Sequence, residues 1–275
     1  MLVPRFIDTK LEEEINTYGY VIVPNFLTKN EVETLLNLHN QYHQEATIGC
    51  WNSIYDLPIG AGKIISDQIT SIAQPHFAKL FQDWKFPVAL FIVKNPKQGH
   101  ESLVHRDDTM HDEKEAQYRQ CWVPLVDITK DNGTLYVVPK SHQVFTDERP
   151  MFAKWPYEHL RPRLEKEFVS IYPKAGDLVV YFEKTLHGSY TNETNESRPV
   201  FQGGVLHKEA EPWFTRFVPE RNEVESYAVD YDFFFNKEFE NPNFAENYPL
   251  VRNQPYIPTN VTEKDLDRVY GVPNI

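Results

Sequence analysis

His105 and Asp107 stand two residues apart in LVHRDDTM (residues 103–110), after an apolar stretch and before a cluster of acids. On a β-strand, residues i and i+2 share a face. A strand through LVHRD therefore sends the imidazole and the carboxylate to one side and Arg106 to the other. Both groups ligate metals. Two histidines and one carboxylate leave three coordination positions open, an arrangement that suits non-haem Fe(II). The candidate third ligand is His187, which follows the apolar run 178–182 in GDLVVYFEKTLHGSY. Further on, NETN reads as a turn between the arms LHGSY and SRPVF. With the turn centred between Glu193 and Thr194, Ser189 falls opposite Arg198. A hydroxyl beside a guanidinium is a clamp for a carboxylate.

Other chemistry fits some of this pattern. HRD opens the catalytic loop of protein kinases, but that motif needs an Asn five residues after the Asp, a DFG and a Gly-rich loop. Position 112 is Asp, and the other elements are missing. Two histidines and an aspartate can hold zinc in a hydrolase, yet zinc leaves the Ser189 and Arg198 pair unexplained. A non-catalytic binding protein on the same fold is the third reading. His39 and His43 form an i, i+4 pair with no third ligand nearby. His142 reads as a loop residue, and His100, His159 and His207 carry no pattern.

The elements that must position these residues are legible as texture. Residues 8 to 23 read as a helix, with Leu11 and Ile15 on one side, leading into a short strand. Thr28 and Glu31 make a capping box before a helix carrying Val32, Leu35, Leu36 and His39. Residues 49 to 63 read as a loop and 66 to 83 as a helix. From Pro87 the runs VALFIVK, CWVPLVDI, GTLYVVP, GDLVVYF and PVFQGGVL alternate with Pro, Gly, Asn and Asp, which predicts an all-β core over about 87–210. Residues 211–275, rich in Pro, Asn and aromatics, read as an irregular segment packed over that core.

Composition narrows the class. The 275 residues carry a net charge of −12, which argues against a nucleic-acid partner. Two cysteines, Cys50 and Cys121, make no disulfide framework and favour a reducing compartment. MLVPRFIDTK lacks the apolar segment of a signal peptide, and no apolar run reaches the ~18 residues of a membrane helix. The expectation is a cytoplasmic protein with no membrane or nucleic-acid partner, monomeric or homodimeric.

HRD, the segment WVPLVDITKDNGTLYVVPKSH, the series GD…LHGS…N…SRP and the opening GYVIVPNFLTKNEVETL together resemble the phytanoyl-CoA dioxygenase family of Fe(II)/2-oxoglutarate oxygenases, over about residues 8–210. The resemblance implies a mainly β fold with flanking helices around a double-stranded β-helix, or jelly-roll, cupin-like core. It implies a single oxygenase domain over 1–275, with a helical N-terminal region over residues 1–86, the core over 87–210 and a packing segment over 211–275. It implies Fe(II) on His105, Asp107 and His187. It also implies 2-oxoglutarate held by Arg198 and Ser189, with Trp122 nearby and Leu90 lining the same pocket, and O₂ as the other cosubstrate. The activity implied is hydroxylation of an unactivated C–H bond of a small molecule.

For the substrate, DDTMHDEKEAQYRQ follows the ligands and reads as pocket rim. As a rim, Asp108, Asp112, Glu113 and Glu115 favour a cationic molecule, such as an amine, an alkaloid or an amino acid, from specialised metabolism; taken one by one, each acid reads equally as part of a solvated loop. They disfavour an acyl-CoA, the alternative within the family, whose phosphates call for basic residues. Trp51, Tyr55, Met110 and Tyr118 are the candidate pocket walls, and His111 reads either as facing the substrate or as an exposed loop histidine.

Overall fold

The β-branched and aromatic runs fold as strands wherever one of their faces can be buried. The computed structural model describes residues 1–43, 50–97 and 101–272. The core strands are β1 (Tyr20–Val23), β2 (Cys50–Asn52), β3 (Ala89–Lys94), β4 (Ser102–His105), β5 (Arg119–Pro124), β6 (Leu135–Val137), β7 (Val169–Ile171), β8 (Leu178–Phe182), β9 (His187–Ser189) and β10 (Arg198–His207). They form two antiparallel sheets, in the orders β1-β8-β5-β10-β3-β2 and β7-β6-β9-β4. The short strand Trp84–Lys85 adds to the far end of β10. This is the expected jelly-roll. Two of its strands, β1 and β2, come from before residue 87.

Helices α1 (Thr9–Tyr18), α2 (Lys29–Tyr42) and α3 (Ala61–Leu80) cover the outer face of the larger sheet. Alternation along β3 shows how. Ala89, Phe91 and Val93 are buried with Leu35, Ile65, Ile69 and Phe77 of the helices, while Leu90, Ile92 and Lys94 turn inward between the sheets. The capping box of Thr28 and Glu31 starts α2 as expected. Helix α1 ends at Gly19 in the left-handed region, φ 85°, where the Gly19 carbonyl accepts hydrogen bonds from Phe182 and Thr185. Helix α3 starts at Ala61, earlier than residue 66, and the stretch expected as a loop contains β2, which pairs with the edge of β3.

The C-terminal segment is more regular than its composition suggests. Strands β11 (Trp213–Val218), β12 (Glu223–Ala228) and β13 (Leu250–Pro255) form a separate antiparallel sheet, followed by helix α4 (Glu263–Tyr270). Phe214, Tyr227, Phe233, Phe234 and Phe244 form its own apolar cluster, which explains the density of aromatics there. No helix among the described residues is long and apolar enough to cross a membrane.

Candidate metal centre

His105 ends β4, His187 begins β9, and the register sets them directly opposite. Their ring centroids lie 4.5 Å apart. Strand β4 stops at His105, so Asp107 reaches the same place from the turn beyond it, held by a 3.2 Å bond from its N–H to the Glu183 carbonyl. His187 Nε2 lies 3.6 Å from Asp107 Oδ1, and one ligating atom from each of the three residues falls within 4.8 Å of the others. Each imidazole is tied at Nδ1 to a backbone carbonyl, His105 to Leu103 at 2.7 Å and His187 to Thr185 at 3.0 Å. A carbonyl only accepts, so Nδ1 carries the hydrogen and Nε2 keeps its lone pair. Burial pushes His105 down to about 3 and His187 down to about 4, so both rings are neutral. Burial also raises Asp107, whose Oδ2 is buried with no hydrogen-bond partner. Two imidazole lone pairs and an unpartnered carboxylate oxygen in one buried spot are the donor set of a divalent cation.

Arg106 points the opposite way, and what it reaches changes the reading of the acids downstream. Its guanidinium pairs with Glu113 and donates to the Asp147 carbonyl. Lys184 Nζ lies 3.2 Å from the other oxygen of Glu113, and Glu183 is buried beside the group. Burial, then the charge of Glu113, raises the Glu183 carboxyl. Glu113 is therefore a buried counterion under the metal loop and does not belong to a rim. Asp112 turns back to the Lys114 N–H, and Glu115 is exposed away from the cavity. Only Asp108 of the four acids faces the cavity, and Arg149 lies 3.3 Å from it. The expected acidic rim does not form.

Two cavities flank the triad. One, of about 380 Å³, is lined by all three triad residues with Lys94, Trp122, Ser189 and Arg198. The other, of about 230 Å³, is lined by Tyr55, Asp108, Met110, Tyr118 and apolar side chains. Asn52, Ile92, Asp107 and Gln202 border both, so the cavities meet at the triad carboxylate.

Arg198 is buried, its guanidinium 5.4 Å from the centre of the Trp122 ring, with Nε and Nη1 lacking partners. Burial pushes it down to about 10. A buried cation with unused donors is a site for an anion, and a carboxylate matches its fork. Lys94, opposite Arg198 in the register, donates to the Ser189 carbonyl at 3.1 Å. Burial, then the charge of Arg198, lowers Lys94 to about 8.

Several expectations need correction. Ser189 and Arg198 are not hairpin partners. Ser189 pairs with Leu135 in the smaller sheet, Arg198 with Lys94 in the larger, and residues 190–197 cross between the sheets. They meet across the cavity instead of along a ladder. Leu90 pairs with Gln202 and lines the second cavity, away from Arg198. Trp51 lines neither. On β2, Cys50 and Asn52 face inward, so Trp51 faces the helices, edge-on to His43 at 5.2 Å. His111 borders the second cavity but is fully buried behind Tyr118, with Nε2 bound to the Ala116 carbonyl at 3.0 Å. His142 binds the Asn16 carbonyl at 3.2 Å, as a loop residue would. His100 lies outside the described residues.

Lys94, Gln120, Tyr181 and Gln202 also border the site, and sequence reasoning misses them. The Tyr181 hydroxyl lies 3.5 Å from His187 Nε2. The signal for the others is period 2: Lys94 shares a strand face with Leu90 and Ile92, Gln120 with Trp122, and Gln202 with Arg198.

Comparison with known proteins bears on the fold and the family. Among solved structures, the non-heme alpha ketoglutarate dependent carbocyclase SnoK from nogalamycin biosynthesis superposes with a TM-score of 0.56 at 18% identity, covering 75% of this chain and 86% of that one. The epimerase SnoN from nogalamycin biosynthesis gives 0.53 at 20% identity, covering 75% and 84%. HygX from Streptomyces hygroscopicus, with nickel and 2-oxoglutarate bound, gives 0.51 at 16%, covering 72% and 87%. These likenesses concern the fold. In sequence, Phytanoyl-CoA dioxygenase 1 of Oryza sativa subsp. japonica is 31% identical over 128 residues, 46% of each chain. Phytanoyl-CoA dioxygenase of Arabidopsis thaliana is 28% identical over 130 residues, 46% of this chain and 45% of that one. The match thus spans about half the length of these curated relatives. The family profile named Phytanoyl-CoA dioxygenase (PhyH) matches residues 60–200, just over half of the chain. The chain belongs to the phytanoyl-CoA dioxygenase family.

Proposed function

We propose that this protein is an Fe(II)- and 2-oxoglutarate-dependent oxygenase that hydroxylates an unactivated C–H bond of a small molecule. The observation that carries the reading is the pairing of two features in one cavity: the triad with its free lone pairs, and the buried, underused guanidinium of Arg198. His105, Asp107 and His187 would hold the iron. Arg198 and Ser189, with Trp122 and Lys94 beside them, would hold the distal carboxylate of 2-oxoglutarate. When bound, iron, 2-oxoglutarate and O₂ supply the oxidant, with release of succinate and CO₂.

The chain's own residues set where that oxidant can act. Asp107 stands at the junction of the cavities, so the C–H bond attacked is the one the second cavity directs toward it. Tyr55, Asp108, Met110, Tyr118 and Leu90 form walls of that cavity. The whole chain, 1–275, would act as one oxygenase domain, in a reducing cytoplasm where Cys50 and Cys121 remain thiols.

The test is anaerobic titration of the protein with Fe(II) and 2-oxoglutarate, followed by visible absorbance. Chelation of the keto acid by iron produces a weak charge-transfer band. The expected result is a band in the wild type and none in His187→Ala. Iron binding without a band would overturn the proposal in favour of a hydrolytic metal site or a non-catalytic binding protein.

A further inference from the structure

The second cavity has a polar composition of its own. Among its lining residues there is no Lys or Arg, and its only ionisable groups are Asp107, Asp108, His111 and three tyrosines. Asp107 belongs to the triad, Asp108 is matched by Arg149, and burial keeps His111 neutral by lowering its proton affinity. Burial likewise raises Tyr55 and Tyr231, so those phenols stay protonated. The remaining wall is Ile54, Leu90, Met110, Met151, Leu206 and Phe234. A charged ligand entering this space would lose its hydration without gaining a counter-charge.

Three amides interrupt the apolar wall: Asn52, whose Oδ1 accepts from the N–H groups of Ile54 and Tyr55, and the glutamines Gln120 and Gln202. Gln120 lies opposite Gly204, and Gln202 opposite Trp122, on adjacent strands β5 and β10. The two glutamines are thus diagonal neighbours on the inner face of the sheet. Among the described residues neither glutamine side chain has a hydrogen-bond partner, and both line the cavity. Gly204, opposite Gln120, has no side chain, and the Tyr118 ring packs over it. Each amide offers an N–H donor and a carbonyl acceptor.

Resting on the oxygenase reading above, we infer that the Gln120–Gln202 pair recognises the substrate, and that the substrate is an uncharged, largely apolar molecule bearing a group that both donates and accepts hydrogen bonds, such as a carboxamide or lactam. This excludes the cationic amine that the acids in the sequence suggest. It also excludes recognition of a phosphorylated carrier inside the cavity.

The test uses three probes on one skeleton: 2-naphthamide, 2-naphthoate and 2-naphthylmethylammonium. Each is titrated calorimetrically into the protein loaded anaerobically with Fe(II) and 2-oxoglutarate. The amide is expected to bind at least about tenfold more tightly than either ion, and Gln120→Met with Gln202→Met to erase most of that advantage. Methionine keeps the volume of glutamine, and the wild-type probe series needs no variant at all. An ion that binds as tightly as the amide, an amide that does not bind, or an advantage that survives both substitutions overturns the inference. The visible band of the iron complex, recorded on the same samples, reports separately on the oxygenase reading. A band with no amide preference defeats only the present inference, and a missing band defeats the reading on which it rests.

Discussion

His105 and His187 are held by the same local device: each donates Nδ1–H to the carbonyl two residues earlier in the chain. Ring orientation is thereby written into each tripeptide. The same burial makes the metal-free protein sensitive to acid. With folded-state values near 3 for His105 and 4 for His187 and His39, against 6.5 for the free side chain, the unfolded chain takes up protons that the folded chain refuses. Stability from these groups is intact above about pH 6.5 and is lost as pH falls toward the folded values. Melting of the metal-free protein should therefore occur at lower temperature near pH 5 than near pH 7, and an unchanged Tm would count against these neutral, buried rings. Arg106 offers a second prediction. With its side chain 5% exposed and that of Glu113 3% exposed, Arg106→Ala strands buried carboxylates and should cost about 3–5 kcal/mol in denaturant unfolding.

At the scale of elements, the β4–β9 pair sets His105 and His187 opposite each other by register, and Gly188 makes that pairing possible. A Cβ at Gly188 would overlap Tyr136 Oη and the Ser102 carbonyl oxygen. Gly188→Ala should push β9 off β4 and lower Fe(II) affinity by about tenfold or more, measured by competition with a chelator. An unchanged affinity would show that the register tolerates the shift. The elements also show what a sequence can carry. The HxD pattern picks out His105 and Asp107, although only His105 lies on a strand and the turn, not strand alternation, brings Asp107 beside it; the capping box locates α2, and the apolar runs locate the core strands. The NETN segment misleads because a turn and two apolar arms look alike whether the strands pair or pass to different sheets. Trp51 misleads because the parity of a three-residue strand depends on which face the helices cover. Glu113 misleads because its partners, Arg106 and Lys184, are brought to it only by the fold. The triad is legible because two of its members are near neighbours in the chain and the third follows a strong strand.

Across the whole molecule, three adjacent strands of the larger sheet run past both cavities. Lys94, Trp122 and Arg198 sit at one end, and Leu90, Gln120 and Gly204 at the other. The C-terminal segment closes only the second cavity, through Pro212, Tyr231 and Phe234. Filling that cavity should leave the first one working. Leu90→Trp is expected to preserve the visible band with Fe(II) and 2-oxoglutarate while suppressing any substrate-stimulated release of succinate. Loss of the band in that variant would mean that the two cavities are not separable.

The placement of these residues along shared strands bears on how such a protein can diversify. Positions 90, 120 and 204 line only the second cavity, although they lie on the same three strands as Lys94, Trp122 and Arg198, whereas Gln202 faces Trp122 and borders both cavities. A library confined to the codons for 90, 120 and 204 should change which molecules the second cavity admits while leaving the visible band with Fe(II) and 2-oxoglutarate intact, so that selectivity can drift along one half of a strand while the other half stays fixed.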